Sequence, residues 1–163
     1  VLAQPKLLYG GLALSVDDTD AYVTGMGGLV KVNKPTGTAV KIASFWDGDT
    51  IVSGPSHVFM VREEDWDGVA SYAKTDGAEK VLFEKASIRP VGVAVHGSDV
   101  FALTKDGNVL KWGDSGQSGA PQVWTSGGSF ASGLIGVQSQ LTLDDTHLYW
   151  SAHKEGKIFS AEH

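Results

Sequence analysis

The sequence predicts an all-β protein built from repeated four-stranded antiparallel sheets. One motif occurs four times: an apolar strand, a polar turn, a second strand with a central aromatic residue, and a glycine that opens a third strand. The aromatic residues of the four copies, here called the anchor residues, are spaced by 37, 42 and 48 positions and are Tyr22, Phe59, Phe101 and Tyr149. A period of about 40 residues with four strands per unit is typical of a propeller blade. We therefore predict a β-propeller with four blades in the chain.

Alternation of apolar and polar residues, interrupted by turns rich in Pro, Gly and Asp, sets the expected strands. Within each blade they are labelled A to D in chain order. The predicted strands are 12–16, 21–24, 29–33 and 39–43 in blade one, 50–53, 58–61, 69–73 and 80–83 in blade two, 92–95, 100–103, 108–112 and 122–125 in blade three, and 140–143, 148–151 and 157–160 in blade four.

Blade four lacks a D strand, and the N-terminal segment 5–10 aligns with the D strand of blade three. We expect this segment to complete blade four and so to remove an exposed sheet edge. The predicted blades then cover about 11–44, 45–85, 86–127 and 128–163, with the closing strand at 5–10. Closure within one chain gives a four-bladed ring, and closure between two chains gives an eight-bladed homodimer. A segment of a longer propeller is the third alternative.

The residues Leu148-Tyr-Trp-Ser151, followed by Gly156-Lys-Ile158, carry a family resemblance. They are similar to the Leu-Tyr-Trp-Thr strand and the Gly-x-Ile strand of the YWTD and NHL-type propellers, so the chain resembles bacterial members of that group. The resemblance implies the propeller fold and does not imply a particular ligand.

Composition and missing motifs argue against several classes of ligand and catalytic site. A net charge of -6 argues against nucleic acid and against an anionic membrane surface, because both need clustered Lys and Arg. With no cysteine, neither a disulfide nor a thiolate zinc site can form. A Gly-x-Ser-x-Gly elbow, a His-Glu-x-x-His motif and a phosphate loop are all missing. Of the compartments, a secreted or periplasmic location is slightly favoured.

The candidate site is on the loops of blade two, because binding groups usually lie on loops that a rigid scaffold holds. The loops before strand A and between strands B and C contribute two tryptophans and five carboxylates: Trp46, Asp47, Asp49, Glu64, Asp65, Trp66 and Asp67. Tryptophan stacking with carboxylate acceptors would suit a sugar or another small polar ligand. Carboxylates at 64, 65 and 67 could also ligate Ca²⁺, although their spacing differs from the twelve-residue calcium loop. The plainest interpretation is a solvated acidic loop.

On the opposite face, the A–B turns of blades one and four carry Asp17-Asp18-Thr19-Asp20 and Asp144-Asp145-Thr146-His147. Carboxylates and histidines at related positions suggest a metal site. Aspartate also caps its own backbone in tight turns, and we favour this structural explanation. His163 has no partner in the pattern and is expected at the surface.

These observations favour a non-enzymatic binding or assembly scaffold without a cofactor, with a protein or carbohydrate ligand on the loop-rich face. The alternative is a hydrolase or lyase of the propeller type with a metal in its channel. A third interpretation is a propeller fragment without independent function.

Overall fold

Fifteen β-strands account for the regular structure in the part of the chain that the computed structural model describes. The described residues are 9–45, 48, 50–62, 68–84, 89–112, 121–128, 141–152 and 156–163. Within these ranges no helix is long and apolar enough to cross a membrane.

The strands form four antiparallel sheets, and each sheet follows the chain order of its strands. Blade one contains β1 (Tyr9–Val16), β2 (Asp20–Met26), β3 (Gly28–Asn33) and β4 (Ala39–Ala43), and blade two contains β5 (Thr50–Ser53), β6 (His57–Arg62), β7 (Gly68–Ala73) and β8 (Glu79–Glu84). Blade three contains β9 (Pro90–His96), β10 (Asp99–Thr104), β11 (Asn108–Trp112) and β12 (Gln122–Ser126), and blade four contains β13 (Leu141–Leu143), β14 (His147–Ala152) and β15 (Lys157–Glu162).

Every predicted strand of the four blades is present, and most extend one or two residues beyond the predicted ends. The exception is β1, which begins at Tyr9 rather than Leu12 because Tyr9 pairs with Met26 of β2. Tyr9 and Gly10 therefore belong to blade one, which corrects their assignment to the closing strand. The rest of that strand, residues 5–8, lies outside the described residues, so the closure of blade four remains a prediction.

The blades pack face to face in sequence. The A strand of each blade lies beside the A strand of the next, β1 by β5, β5 by β9 and β9 by β13. We call the side of a blade that carries its anchor residue the anchor face, the other side the back face, and the contact between one anchor face and the next back face a joint. Three apolar clusters fill the three joints within the chain.

The anchor residues lie at the centre of these joints. Tyr22 packs against blade two, Phe59 against blade three and Phe101 against blade four, and all three are fully buried. Burying a large apolar side chain contributes roughly 1.5–3 kcal/mol, so the joints supply much of the stability of the fold. The predicted role of the anchors in packing between blades is confirmed for these three residues. Tyr149, the fourth anchor, is only half-buried.

Candidate functional site: the loop face of the second blade

The predicted site residues, Trp46, Asp47, Asp49, Glu64, Asp65, Trp66 and Asp67, lie outside the described residues, so the geometry of their side chains is not part of the structure. The structure does describe the residues from which both loops depart. These residues show how the scaffold holds the candidate site.

Phe45 and Gly48, the two described residues of the first loop, are tied to blade one by hydrogen bonds to their carbonyl oxygens. The carbonyl oxygen of Phe45 accepts a hydrogen bond from the amide of Gly27, at 3.2 Å, which ties it to the B–C turn of blade one. The buried Thr24 hydroxyl donates to the carbonyl oxygen of Gly48 at 2.8 Å. A Cβ atom on Gly48 would lie 2.3 Å from the sulfur of Met60, so a larger residue at this position would have to displace the Met60 side chain.

The second loop departs from Arg62, whose side chain reaches the base of the first loop. Its guanidinium carbon lies 5.3 Å from the centre of the Phe45 ring, within the range of a cation–π contact. Its Nη1 atom donates to Oε1 of Glu79 at 3.1 Å, and the Tyr72 hydroxyl donates to the same oxygen at 2.7 Å. Burial, followed by the hydrogen bond to Glu79, raises the pKa of Tyr72 well above its ordinary value. Arg62 and Phe45 therefore join the bases of the two candidate loops.

Sequence reasoning did not identify this support. Phe45 and Arg62 are adjacent to the predicted loop residues, but Glu79 and Tyr72 come from the next two strands of the sheet. The antiparallel register brings them together, since β7 pairs with both β6 and β8. Tyr72 pairs with Glu79 across β7 and β8, and aligning the strands of the blades by register would have indicated this pair.

The opposite face is organised by the Asp17 turn. Oδ1 of Asp17 accepts hydrogen bonds from the amides of Thr19 and Asp20, at 3.0 and 2.8 Å. Oδ2 accepts from Nζ of Lys74 at 2.6 Å and from the hydroxyl of Ser53 at 3.3 Å, and both of these residues belong to blade two. Partial burial acts to raise the pKa of Asp17, but the hydrogen bonds outweigh it and hold the pKa well below its ordinary value.

The Asp144 turn repeats the local half of this arrangement. Its Oδ1 accepts from the amides of Thr146 and His147, both at 2.8 Å, and its Oδ2 accepts from the Tyr149 hydroxyl at 2.9 Å. These backbone hydrogen bonds hold the pKa of Asp144 well below its ordinary value. The preferred explanation of the Asp-Asp-Thr motifs as turn-capping residues is therefore confirmed.

Two further features lie on this face. An open depression of about 540 Å³ is lined by Asp17, Lys74 and the A–B turns of blades two and three. His163 is partly exposed, and the centre of its ring lies 4.2 Å from that of His96 and 6.0 Å from that of Phe101, contacts that the sequence pattern did not indicate. Among the described residues no three His, Cys, Asp or Glu side chains are grouped as a metal site would require.

The arrangement of sheets can be compared with solved structures. The chain is similar to the computationally designed Ika4 protein, with a TM-score of 0.74 and 14% identity over 99% of this chain and 97% of that one. The chain folds as four blades of a β-propeller. The designed Ika8 protein is also similar, with a TM-score of 0.68 and 16% identity over 99% of this chain and 48% of that chain.

A natural protein shows the same likeness. AztD from Citrobacter koseri has a TM-score of 0.66 and 13% identity over 95% of this chain and 44% of that chain. The chain thus spans about half the length of Ika8 and AztD. No protein-family model matches it, and no curated protein matches it in sequence.

Proposed function

We propose that this propeller is a non-enzymatic scaffold that binds a protein or carbohydrate ligand on the loop face of blade two. The observation that carries the proposal is the contact of Arg62 with Phe45, which fixes the starting points of the two candidate loops beside each other. A site made from two loops needs a rigid common base if its side chains are to meet one ligand.

The candidate residues supply complementary chemistry. Trp46 and Trp66 offer large flat surfaces for stacking, while Asp47, Asp49 and Asp65 offer acceptors for hydroxyl or amide donors. Glu64 and Asp67 add negative charge, and with Asp65 they are the donor set for the Ca²⁺ alternative. We also propose that the scaffold belongs to the YWTD or NHL type of propeller, which rests on Tyr149-Trp150 and Gly156-Lys-Ile158.

The test is a binding screen of the purified chain on a glycan microarray and a peptide array, with and without added Ca²⁺. Any hit is then measured with the W46A, W66A and double variants. We expect at least one class of hit, with affinity reduced at least tenfold by the double substitution. A W124F variant is the matched control, since Trp124 packs against Phe101 in the joint between blades three and four.

A second variant tests the common base. Arg62→Met removes the charge and keeps the length, so the two loops should lose their fixed spacing and ligand affinity should fall. The proposal fails if neither array gives a hit, or if the double tryptophan variant binds every hit as tightly as the parent.

A further inference from the structure

The anchor face of blade four is exposed at a position where the other three anchor faces are buried. Ile158 pairs with the residue two positions after its anchor, as do Leu29, Val69 and Val109 in the other blades. Those three residues are 0% exposed, whereas Ile158 is 78% exposed. The same position is therefore closed in three blades and open in the fourth.

The back face of blade one shows the complementary defect along its A strand. Leu14 pairs with the residue one position after its anchor, as Ile51 does in blade two and Val93 in blade three. Leu14 is 66% exposed, but Ile51 is 8% and Val93 is 3% exposed. Ala21, Val30 and Val32 on the same face form a buried cluster, so the uncovered apolar surface is confined to β1, at Leu14 and Val16.

The polar contacts of a formed joint have counterparts on the two open faces. In the joint between blades one and two, Lys74 pairs with Asp17 and its Nζ atom lies 5.2 Å from the centre of the Tyr22 ring. Asp144 and Tyr149 repeat Asp17 and Tyr22 on the open face of blade four, with the same hydroxyl-to-carboxylate hydrogen bond.

Lys34 is the counterpart of Lys74. The Lys34 amide donates to the Thr19 carbonyl at the A–B turn of its own blade, as the Lys74 amide donates to Ser56. The C–D turn of blade three contains neither Lys nor Arg, and the A–B turns of blades two and three have Gly54 and His96 in place of the aspartate. The Nζ atom of Lys34 donates to the main-chain carbonyl oxygen of Asp17, so pairing with another carboxylate requires this side chain to turn away from that carbonyl. Among the described residues, the A–B and C–D turns thus supply one formed Asp–Lys pair between blades, and Asp144 and Lys34 at the equivalent positions of the two open faces.

We propose that the anchor face of blade four packs on the back face of blade one of a second copy of this chain, and reciprocally. Asp144 of each copy then pairs with the other copy's Lys34 beneath Tyr149, while Ile158 covers Leu14. The two joints are related by a two-fold axis, so the assembly closes as a ring of eight blades.

The exposure of the two faces favours a second copy over closure within one chain. In the single chain Leu14 and Ile158 are both largely exposed, so the two open faces do not cover each other there.

Charge reversal distinguishes the two closures. In a two-chain ring, K34D alone and D144K alone place like charges at both joints, and a mixture of the two variants places opposite charges at both. We expect the parent to sediment at twice 17.2 kDa, each variant to associate at least tenfold more weakly, and the mixture to recover the dimer. Closure within one chain predicts that mixing restores nothing.

The controls keep the result interpretable. D145K changes the charge at the neighbouring exposed turn residue, and K80D changes it on blade two, away from both open faces; both should dimerise like the parent. Circular dichroism and thermal unfolding establish that K34D and D144K are folded. A parent chain that sediments at 17.2 kDa, or a mixture of folded variants that stays monomeric, would overturn the proposal.

Discussion

Asp17 and Asp144 occupy the same turn in two blades, one with a following blade against it and one without. Both accept two backbone amides and a tyrosine hydroxyl, so this part of the geometry is local. Only Asp17 also binds Lys74 and Ser53 of the next blade. The comparison shows that the turn forms from contacts within one blade, and that packing of the next blade adds further contacts to it.

Between a formed joint and the open face of blade four, the largest difference in the cost of a substitution should be found at apolar residues. Leu29→Ala removes a fully buried side chain from a formed joint and should lower the free energy of unfolding by about 3 kcal/mol. Ile158→Ala, at the equivalent exposed position, should cost less than about 1 kcal/mol when the chain is held monomeric by K34D. Urea unfolding of both variants in the K34D background measures the difference. If both variants lost the same free energy of unfolding, Leu29 and Ile158 would be equally buried, which would contradict the comparison.

A smaller difference is expected from the aspartates. Asp17→Ala leaves two amides, a tyrosine, a serine and a lysine without their acceptor, and should lower the free energy of unfolding by roughly 2 kcal/mol. Asp144→Ala should cost less in the monomer, because it breaks only the local hydrogen bonds of an exposed turn. Lys74→Met isolates the part of the Asp17 effect that belongs to the joint. Thermal unfolding of the three variants ranks their losses of stability. A Lys74→Met variant as stable as the parent would show that the ion pair between Lys74 and Asp17 does not stabilise the fold.

The acid dependence of stability should follow from the same carboxylates. The pKa values of Asp17 and Asp144 are lower in the folded chain than in the unfolded chain. Their contribution is therefore complete above the unfolded value of about 3.9 and is lost as the pH falls from there toward the folded values.

Urea midpoints measured from about pH 5 down to about pH 2.5 should decline for the parent. The decline should be shallower for Asp17→Asn, which keeps an acceptor but cannot titrate. Parallel pH profiles for the two proteins would show that Asp17 does not contribute to the acid dependence.

Much of the fold was predictable because the repeat preserves strand spacing and anchor positions. The anchors Tyr22, Phe59 and Phe101 were assigned to packing between blades, and the Asp-Asp-Thr motifs to turns, because both depend on short-range patterns. The start of β1 at Tyr9 was missed, since Gly10 and Gly11 interrupt the apolar alternation that marks a strand. The contacts of Lys74 with Asp17 and of His163 with His96 were also missed, because they join different blades and depend on how the sheets are placed.

A disulfide between the two open faces tests the account most directly. In the formed joint, the Ser53 amide donates to the hydroxyl of Ser15 at 2.8 Å, and Val16 and Thr142 are the equivalent residues on the open faces. The chain has no native cysteine, so V16C/T142C and its control S15C/S53C can be oxidised without competing thiols. On a denaturing, non-reducing gel we predict that the control, cross-linked within one chain, runs at 17.2 kDa, whereas V16C/T142C runs as a covalent dimer of twice that mass. A V16C/T142C protein that consumes both thiols and remains at 17.2 kDa would contradict the account.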